Sequence, residues 1–469
     1  MEKINVFDFA LHDEKKLLPL RFSKFVHEFK RNGVVALYHS LTHQVMYLEE
    51  RVYQELQDLI ETKRTPPQAK ELIKQGFLVS LGYEENRILQ EIRDKFLGRP
   101  VFGILYLLLT DICNLRCRYC YIEGAIPANY TFSLMSEEIS IKGLNFFAKA
   151  FSKNPPDRKI ERPTIIFYGG EPLLNRKAFL ASVNEIARLK KISELPSTTS
   201  VSLITNATIL DEEIIAAIVE NEVSVSVSLD GSKDLHDVNR IFANGEGTFE
   251  TVLKNIKWLQ KAGANVSVSC TISKANIDQL EEVLLWLISE FQIKGLGFNM
   301  LLDLPGVTQA DAEYTEKASE KIIRCYQIAR EKGVYEERIM RKIGNFVKKS
   351  LHLVDCGGCG NQIVVTPDGR IGPCHAYASS NRFFPAHLNN PDFNPFQDQV
   401  FIEWSRRSPF NIPQCQFCEA IGLCGGGCPY NTELKLGNIW EIDPNFCLHS
   451  KRILEWLVWN LFEKTKERR

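Results

Sequence analysis

Thirteen cysteines constrain this 469-residue chain more than any other feature, because eleven of them fall into regularly spaced groups. Cys113, Cys117 and Cys120 follow a C-x3-C-x2-C spacing directly after an apolar run, Ile104 to Thr110. Cys356, Cys359 and Cys374 flank the turn sequence Thr366-Pro367-Asp368-Gly369. Cys415, Cys418, Cys424 and Cys428 follow C-x2-C-x5-C-x3-C, and Cys447 stands beyond a further gap. In a reducing compartment such groups bind metal or do chemistry rather than form disulfides.

The compartment follows from the ends and the longest apolar run. The first twenty residues, MEKINVFDFALHDEKKLLPL, scatter charges and contain no apolar stretch of signal-peptide length. Val101 to Leu109 is too short to cross a bilayer and suits a buried strand, so the chain is expected to be cytoplasmic, with no membrane partner. A net charge of -1 leaves no basic excess to neutralise phosphates, which argues against nucleic acid. The charge run from Glu463 to Arg469 reads as a solvated helix end.

With 469 residues and 44% hydrophobic content, two or three globular domains are expected. In residues 1–98, Val34–Tyr38 and Gln44–Leu48 read as a hairpin around Ser40-Leu41-Thr42-His43. Helical patterns follow at Glu49–Thr62 and Ala69–Gln75, then a short strand at Gly76–Ser80; this order suggests a small, self-contained winged-helix-like module. Residues 99–340 alternate strand-like runs (Ile104–Thr110, Thr164–Tyr168, Ser202–Thr205, Val223–Ser228, Val266–Thr271, Leu296–Leu302) with helical stretches such as Ser136–Ala150, Lys177–Leu189 and Phe249–Ala262. Six such units make an α/β fold with an incomplete (β/α)6 barrel, its function at the C-terminal strand ends. Residues 341–469 read as a cysteine-stapled region closed by a helix over Leu448–Phe462.

Three thiolates in one loop can hold three irons of a [4Fe–4S] cube and leave the fourth open to a small-molecule chelate. Zinc is the competing reading, although it prefers four protein ligands and no local fourth is evident. At this point the sequence resembles the radical S-adenosylmethionine (SAM) superfamily: Cys113, Cys117 and Cys120, with Tyr119, match its C-x3-C-x-aromatic-C motif. Gly169-Gly170-Glu171 at the second strand end matches its G-G-E segment, where paired glycines would let backbone approach the ligand and exposed polar groups bind the methionyl amine. The resemblance also places Asn206 beside SAM, and Ser228 and Arg240 at its carboxylate, Arg240 lying in an arm resembling H-D-x-x-R. A plain strand-end turn at Ser228–Gly231 and a surface ion pair at Arg240 are the alternatives.

The C-terminal spacing resembles the SPASM domain, C-x(9–15)-G-x4-C, C-x2-C-x5-C-x3-C and a final C. That resemblance implies two auxiliary clusters, making three [4Fe–4S] clusters in all. Cys356, Cys374 and Cys428, with Cys359 as fourth ligand, would hold the first, and Cys415, Cys418, Cys424 and Cys447 the second. Eight cysteines could instead bind two zinc ions. Cys270 and Cys325 fit neither scheme and read as small buried hydrophobes.

The order of elements in residues 1–98 is similar to the RiPP recognition element, which holds leader peptides of ribosomal precursors along a strand edge. Such a module should be removable without loss of SAM cleavage. The resemblances imply a radical SAM oxidoreductase that makes a 5′-deoxyadenosyl radical and oxidatively modifies a precursor peptide, by a thioether or other crosslink. Its electrons would come from a low-potential donor such as a flavodoxin or ferredoxin. Anaerobic sulfatase maturases, which form formylglycine, are the nearest alternative; they typically carry Asp after the hairpin's second cysteine, where this chain has His375. A non-catalytic iron–sulfur carrier and a zinc-stapled binding module are the alternatives from other classes.

Overall fold

The protein is described by a computed structural model covering residues 19–124, 130–304 and 306–467. The first eighteen residues, read above for a signal sequence, and the terminal Arg468-Arg469 lie outside the described residues.

The described residues 19–98 form two small sheets and three helices. Strands β1 (Leu20–Phe22), β2 (Val26–Arg31), β3 (Val34–His39), β4 (Gln44–Glu49) and β5 (Leu78–Ser80) pair as β1–β5 and as the antiparallel meander β2–β3–β4. Helices Glu50–Glu61 and Ala69–Lys74 lie where their apolar spacing puts them, and a third helix, Asn86–Phe96, adds to the expected set. The unexpected β2 reads VHEFKR, half charged. It is an edge strand whose outward side chains meet water, so its apolar signal is weak.

This unit packs against the C-terminal region. The β3–β4 turn is buried: Ser40, Leu41, Thr42 and His43 are each at most 5% exposed. Leu41 and Phe25 share one apolar cluster with Leu351, Phe410 and Ile421 of the C-terminal region, and Tyr38 belongs to the main core. His43 Nε2 lies 3.1 Å from the Ser350 carbonyl oxygen, and Arg93 Nε donates to the Phe410 carbonyl at 2.6 Å. Deleting these residues would strip apolar surface from the rest of the chain, which bears directly on the expectation that they can be removed.

The central sheet is built on strands β6 (Ile104–Thr110), β7 (Thr164–Gly169), β8 (Ser200–Thr205), β9 (Ser224–Ser228), β10 (Val266–Ile272) and β11 (Gly295–Met300), all parallel in sequential order. Crossover helices Glu137–Ser152, Arg176–Lys191, Glu212–Glu220, Phe249–Lys261 and Leu280–Phe291 cover the outside. Three of their starts are capped by side chains: Ser136, Asn175 and Asp211 accept from the Ile139, Ala178 and Ile214 amides. Strands such as SVSVS and VSVSCTI alternate valine with serine; the valines are buried and the intervening serines are only half-buried. Small polar groups on the inner face leave a chamber where a filled barrel would pack large apolar side chains.

The sheet does not stop at six strands. β12 (Tyr335–Glu336) extends the β11 edge. Beyond β6 the sheet continues as β13 (Gln362–Val365), β14 (Arg370–Gly372) and β15 (Ala386–His387). β13 and β14 form the hairpin expected around Thr366–Gly369, and β13 pairs parallel to β6, so the cysteine-bearing hairpin is a continuation of the barrel sheet. The helix Glu337–Lys348 crosses the 340/341 boundary expected from composition. Pro444–Glu467 closes the chain as one long helix packed on Ala312–Glu331. No helix among the described residues is long and apolar enough to cross a membrane.

Candidate functional site

The parallel strands end around a cavity of about 590 Å³. Cys113, Cys117 and Cys120 line one side of it, and Cys356, Cys374 and Cys428 line another. Tyr119, Gly169, Gly170, Glu171, Asn206, Ser228 and Arg240 border the same space, so the strand-end residues singled out by sequence converge on one chamber.

The loop carrying Cys113–Cys120 is held at its start. Asp111 accepts from the Ser133 amide at 2.7 Å and from Tyr130 Oη at 2.7 Å. The Gly170 and Glu171 amides donate to the Thr110 and Ile112 carbonyls, each at 2.8 Å. The paired glycines also serve the cysteine loop. A Cβ on Gly169 would stand 2.0 Å from the Thr110 oxygen, and one on Gly170 would stand 2.2 Å from the Ile112 oxygen. What approaches these glycines is the backbone of the cysteine loop itself. At Gly169, φ of 141° adds a conformation that side chains rarely adopt.

Glu171 borders the same chamber from a buried position. It is 1% exposed, and it accepts from the Thr205 hydroxyl at 2.7 Å, the Asn206 amide at 2.8 Å and the Leu173 amide at 3.1 Å. Burial pushes its pKa up to about 7, against the pull of these donors. Its carboxylate thus fixes the end of β8. Asn206, held there, donates to Asn114 Oδ1 at 3.0 Å and lies 3.9 Å from Cys113 Sγ.

Arg240 is neither free nor on the surface. At 8% exposure it donates from Nε to Asp230 Oδ2 at 3.0 Å and lies over the Tyr119 ring, 5.3 Å from its centroid. Burial alone would depress its pKa, but Asp230 more than reverses that and the guanidinium stays charged. Asp230, which sequence reading passed over as part of a turn, is the hub: it also accepts from Tyr119 Oη and from the Thr271 amide at 2.9 Å. The only sequence signal for it was an acidic residue closing a strand. Ser228 borders the chamber beside it.

The C-terminal cysteines gather into two sets. Cys356, Cys359, Cys374 and Cys428 lie close enough to raise one another's pKa, on top of the larger effect of burial. Cys359 is 5% exposed and sits behind the three that face the chamber. Cys447 is similarly influenced by Cys424, Cys415 and Cys418 after burial itself. Cys270 and Cys325 are fully buried in the core, apart from all three sets.

No group of three or more His, Cys, Asp or Glu among the described residues is arranged to hold a single metal ion. The donor chemistry fits sulfur-ligated clusters: every spaced group is all-thiol. Burial pushes Cys113, Cys418 and Cys428 up to about 12, so these thiols need nearby positive charge, as iron supplies, to become thiolates.

His375 sits where the β14 hairpin meets the chamber. Its ring stacks on Tyr106 with centroids 4.7 Å apart, and its Nε2 lies 2.9 Å from Tyr121 Oη, which lies 3.0 Å from Tyr168 Oη.

Comparison with known proteins agrees with this architecture. Residues 107–287 match the model of the radical SAM superfamily. The chain carries a radical SAM domain and is a radical SAM enzyme. It is 22% identical over 479 residues to the radical SAM cyclopropyl synthase TigE of Paramaledivibacter caminithermalis, covering 94% of this chain and 96% of that one. It is 22% identical to a cysteine-type anaerobic sulfatase-maturating enzyme of Clostridium perfringens, covering 76% of this chain and 96% of the relative. Its fold is similar to Streptococcus suis SuiB, solved bound to the precursor peptide SuiA, at a TM-score of 0.54 and 14% identity, over 91% of this chain and 99% of that one.

Proposed function

We propose that this chain is a peptide maturase: it oxidatively modifies residues of a ribosomal precursor peptide held in the chamber. The observation that carries this reading is the shared cavity, which sets the Cys113–Cys120 loop and the Cys356, Cys374 and Cys428 set around one space. Cys113, Cys117 and Cys120 would hold the SAM-binding cluster; Cys356, Cys359, Cys374 and Cys428 the first auxiliary cluster; Cys415, Cys418, Cys424 and Cys447 the second. Bound there, these groups supply the electron that cleaves SAM to a 5′-deoxyadenosyl radical and a place for the electron left after substrate oxidation.

The protein's own residues supply position and exclusion of water. The Asp230–Arg240–Tyr119 network and the Glu171–Asn206–Asn114 network fix the walls against which SAM would lie. The alternating serines leave room for a peptide segment. Residues 1–98 would hold the leader on the outer edge of β2 or β4. A low-potential flavodoxin or ferredoxin would serve as cytoplasmic electron donor.

The likeness to SuiB, solved bound to a precursor peptide, covers 91% of the chain and supports a peptide substrate, whereas the sulfatase-maturase likeness covers 76%. His375 at the position where sulfatase maturases typically carry Asp points the same way. The test is anaerobic incubation of reconstituted protein with SAM, dithionite and a short peptide encoded beside its gene. Formation of 5′-deoxyadenosine together with loss of hydrogen from the peptide, read by mass spectrometry, is expected. Modification of a sulfatase Cys or Ser peptide, with the precursor untouched, would establish the other activity.

A further inference from the structure

Three arginine and lysine side chains are buried among the described residues: Arg240, Lys342 and Arg407. Arg240 faces Asp230 at 3.0 Å, and Lys342 faces Asp355 at 3.7 Å. Arg407 is 0% exposed, and no carboxylate among the described residues lies within ion-pair distance of it. Every acceptor it meets is neutral. Nε donates to the Ile439 carbonyl at 2.5 Å and Nη1 to the Gly426 carbonyl at 2.6 Å. Nη2 donates to the Glu441 carbonyl at 3.3 Å and to the Thr432 hydroxyl at 3.4 Å. A guanidinium keeps its charge inside a protein, and a buried charge without a counter-charge is strongly unfavourable. The location of Arg407 supplies the reason. Gly426 stands midway in Cys424-Gly425-Gly426-Gly427-Cys428, two residues from a cysteine of each C-terminal set. Two residues span at most about 7 Å, so the carbonyl that holds Nη1 lies on the short link between the sets. The link is closed onto the guanidinium: a Cβ on Gly426 would stand 2.9 Å from Nη1. Its field reaches both sets. Burial raises the pKa of Cys356, Cys359 and Cys428 in one set and of Cys415 in the other, and at all four Arg407 pulls the opposite way.

We propose that Arg407 is the fixed counter-charge shared by the two auxiliary clusters, and that it makes both easier to reduce. Reduction adds one electron, hence one negative charge, to a cluster, and a positive charge that can neither leave nor be neutralised favours that state. In the oxidative reading, the substrate radical forms its new bond with loss of one proton to solvent and one electron. An auxiliary cluster takes that electron and passes it to oxidised flavodoxin or ferredoxin. Arg407 acts on the taking of the electron alone: it does not line the chamber, so it touches neither SAM nor peptide. The inference rests on the cluster assignment above and adds the residue that sets how readily those clusters accept an electron.

The experiment is an anaerobic redox titration of reconstituted full-length protein, read by electron paramagnetic resonance. A protein with Cys113, Cys117 and Cys120 replaced by Ala identifies the auxiliary signals. Arg407→Gln removes the charge and keeps an amide donor, whereas Arg407→Lys keeps the charge with a different donor geometry. Thr432→Asp sets a carboxylate beside Nη2 and cancels the charge with the guanidinium left in place. In Arg407→Gln and Thr432→Asp the auxiliary clusters should be about tenfold harder to reduce, the effect of a unit charge about 10 Å away in a protein interior. For one electron that is a midpoint lower by about 59 mV. Arg407→Lys should stay near the parent, and the SAM-binding cluster should keep its midpoint in all three. Auxiliary midpoints at the parent's value in both Arg407→Gln and Thr432→Asp would overturn the proposal. So would an Arg407→Lys protein shifted as far as Arg407→Gln, because hydrogen bonding would then be the cause. If Arg407→Gln fails to hold auxiliary iron, retention of that iron in Arg407→Lys would show that the clusters need the charge. Loss of iron in both, with Thr432→Asp unshifted, would overturn it. A parent protein with about four irons, and zinc in place of the rest, would count against the cluster assignment itself.

Discussion

Gly170→Ala isolates the fit between the G-G-E segment and the cysteine loop. The added Cβ would lie 2.2 Å from the Ile112 oxygen, 2.4 Å from the Ile112 carbonyl carbon and 2.8 Å from the Asp111 oxygen. A carbon–oxygen contact relaxes near about 3.3 Å, so the loop must retreat by about 1 Å. Every atom met is backbone, so no side chain can swing aside. Gly170, unlike Gly169, has an ordinary φ, and the effect is therefore steric alone. Retreat would break the Gly170 N–H bond to the Thr110 carbonyl and the Glu171 N–H bond to the Ile112 carbonyl, both 2.8 Å. Two such bonds at about 1 kcal/mol each, with about 1–3 kcal/mol for overpacking, place about 3–5 kcal/mol on the residue preceding Cys113. The loop should give before the sheet does. Reconstituted Gly170→Ala protein should lose about four irons per chain and all 5′-deoxyadenosine formation, while its remaining iron–sulfur absorption persists. Iron analysis and chromatographic assay of 5′-deoxyadenosine read this directly. A variant with full iron and parental SAM cleavage would refute the argument that these glycines seat the loop.

The burial of the β3–β4 turn predicts that Leu41→Ala will destabilise the shared apolar cluster by about 2–4 kcal/mol, and that hydrogen exchange will rise in residues 410–424 as well as around the turn. Deleting residues 1–98 should accordingly lose iron from the C-terminal region; a deletion protein with full iron would show the unit to be separable. Acid should weaken the fold through buried histidines. Burial holds His39 to about 3 and His43 and His236 to about 4, below the ordinary 6.5. Their neutral forms belong to the folded state, so their contribution is complete above pH 6.5 and is lost as pH falls from 6.5 towards 4. The loss is up to about 1.4 kcal/mol per pH unit for each, read as a falling urea midpoint between pH 6.5 and 5. His236→Gln should flatten that fall.

The barrel was legible because short apolar strand runs alternate with long amphipathic stretches, and the strands and helices stand at those places. The Cys113–Cys120 loop was legible from its spacing alone, whereas the division of the C-terminal cysteines into two sets came from the resemblance, since Cys374 and Cys428 lie far apart in the chain. What sequence could not convey was approach between distant segments. Gly169 and Gly170 read as ligand-facing, but nothing local revealed that they must also admit residues 110–112, some sixty positions earlier, brought near by β6–β7 pairing. Asp230 read as a turn residue because its partners Tyr119, Arg240 and Thr271 come from three different segments. Ser40–His43 read as an ordinary exposed hairpin turn, since nothing local reveals that Gly422 is there to receive it; a Cβ on Gly422 would lie 2.2 Å from the Ser40 oxygen.

Iron and sulfide content, measured on the parent and two cysteine variants after anaerobic reconstitution, tests the central claim most directly. The parent should hold about twelve irons per chain, and a protein with Cys113, Cys117 and Cys120 replaced by Ala should hold about eight and form no 5′-deoxyadenosine. Replacing Cys415 and Cys418 by Ala should also leave about eight, yet 5′-deoxyadenosine should still form. A parent protein with about four irons, and zinc in the C-terminal sites, would contradict the account.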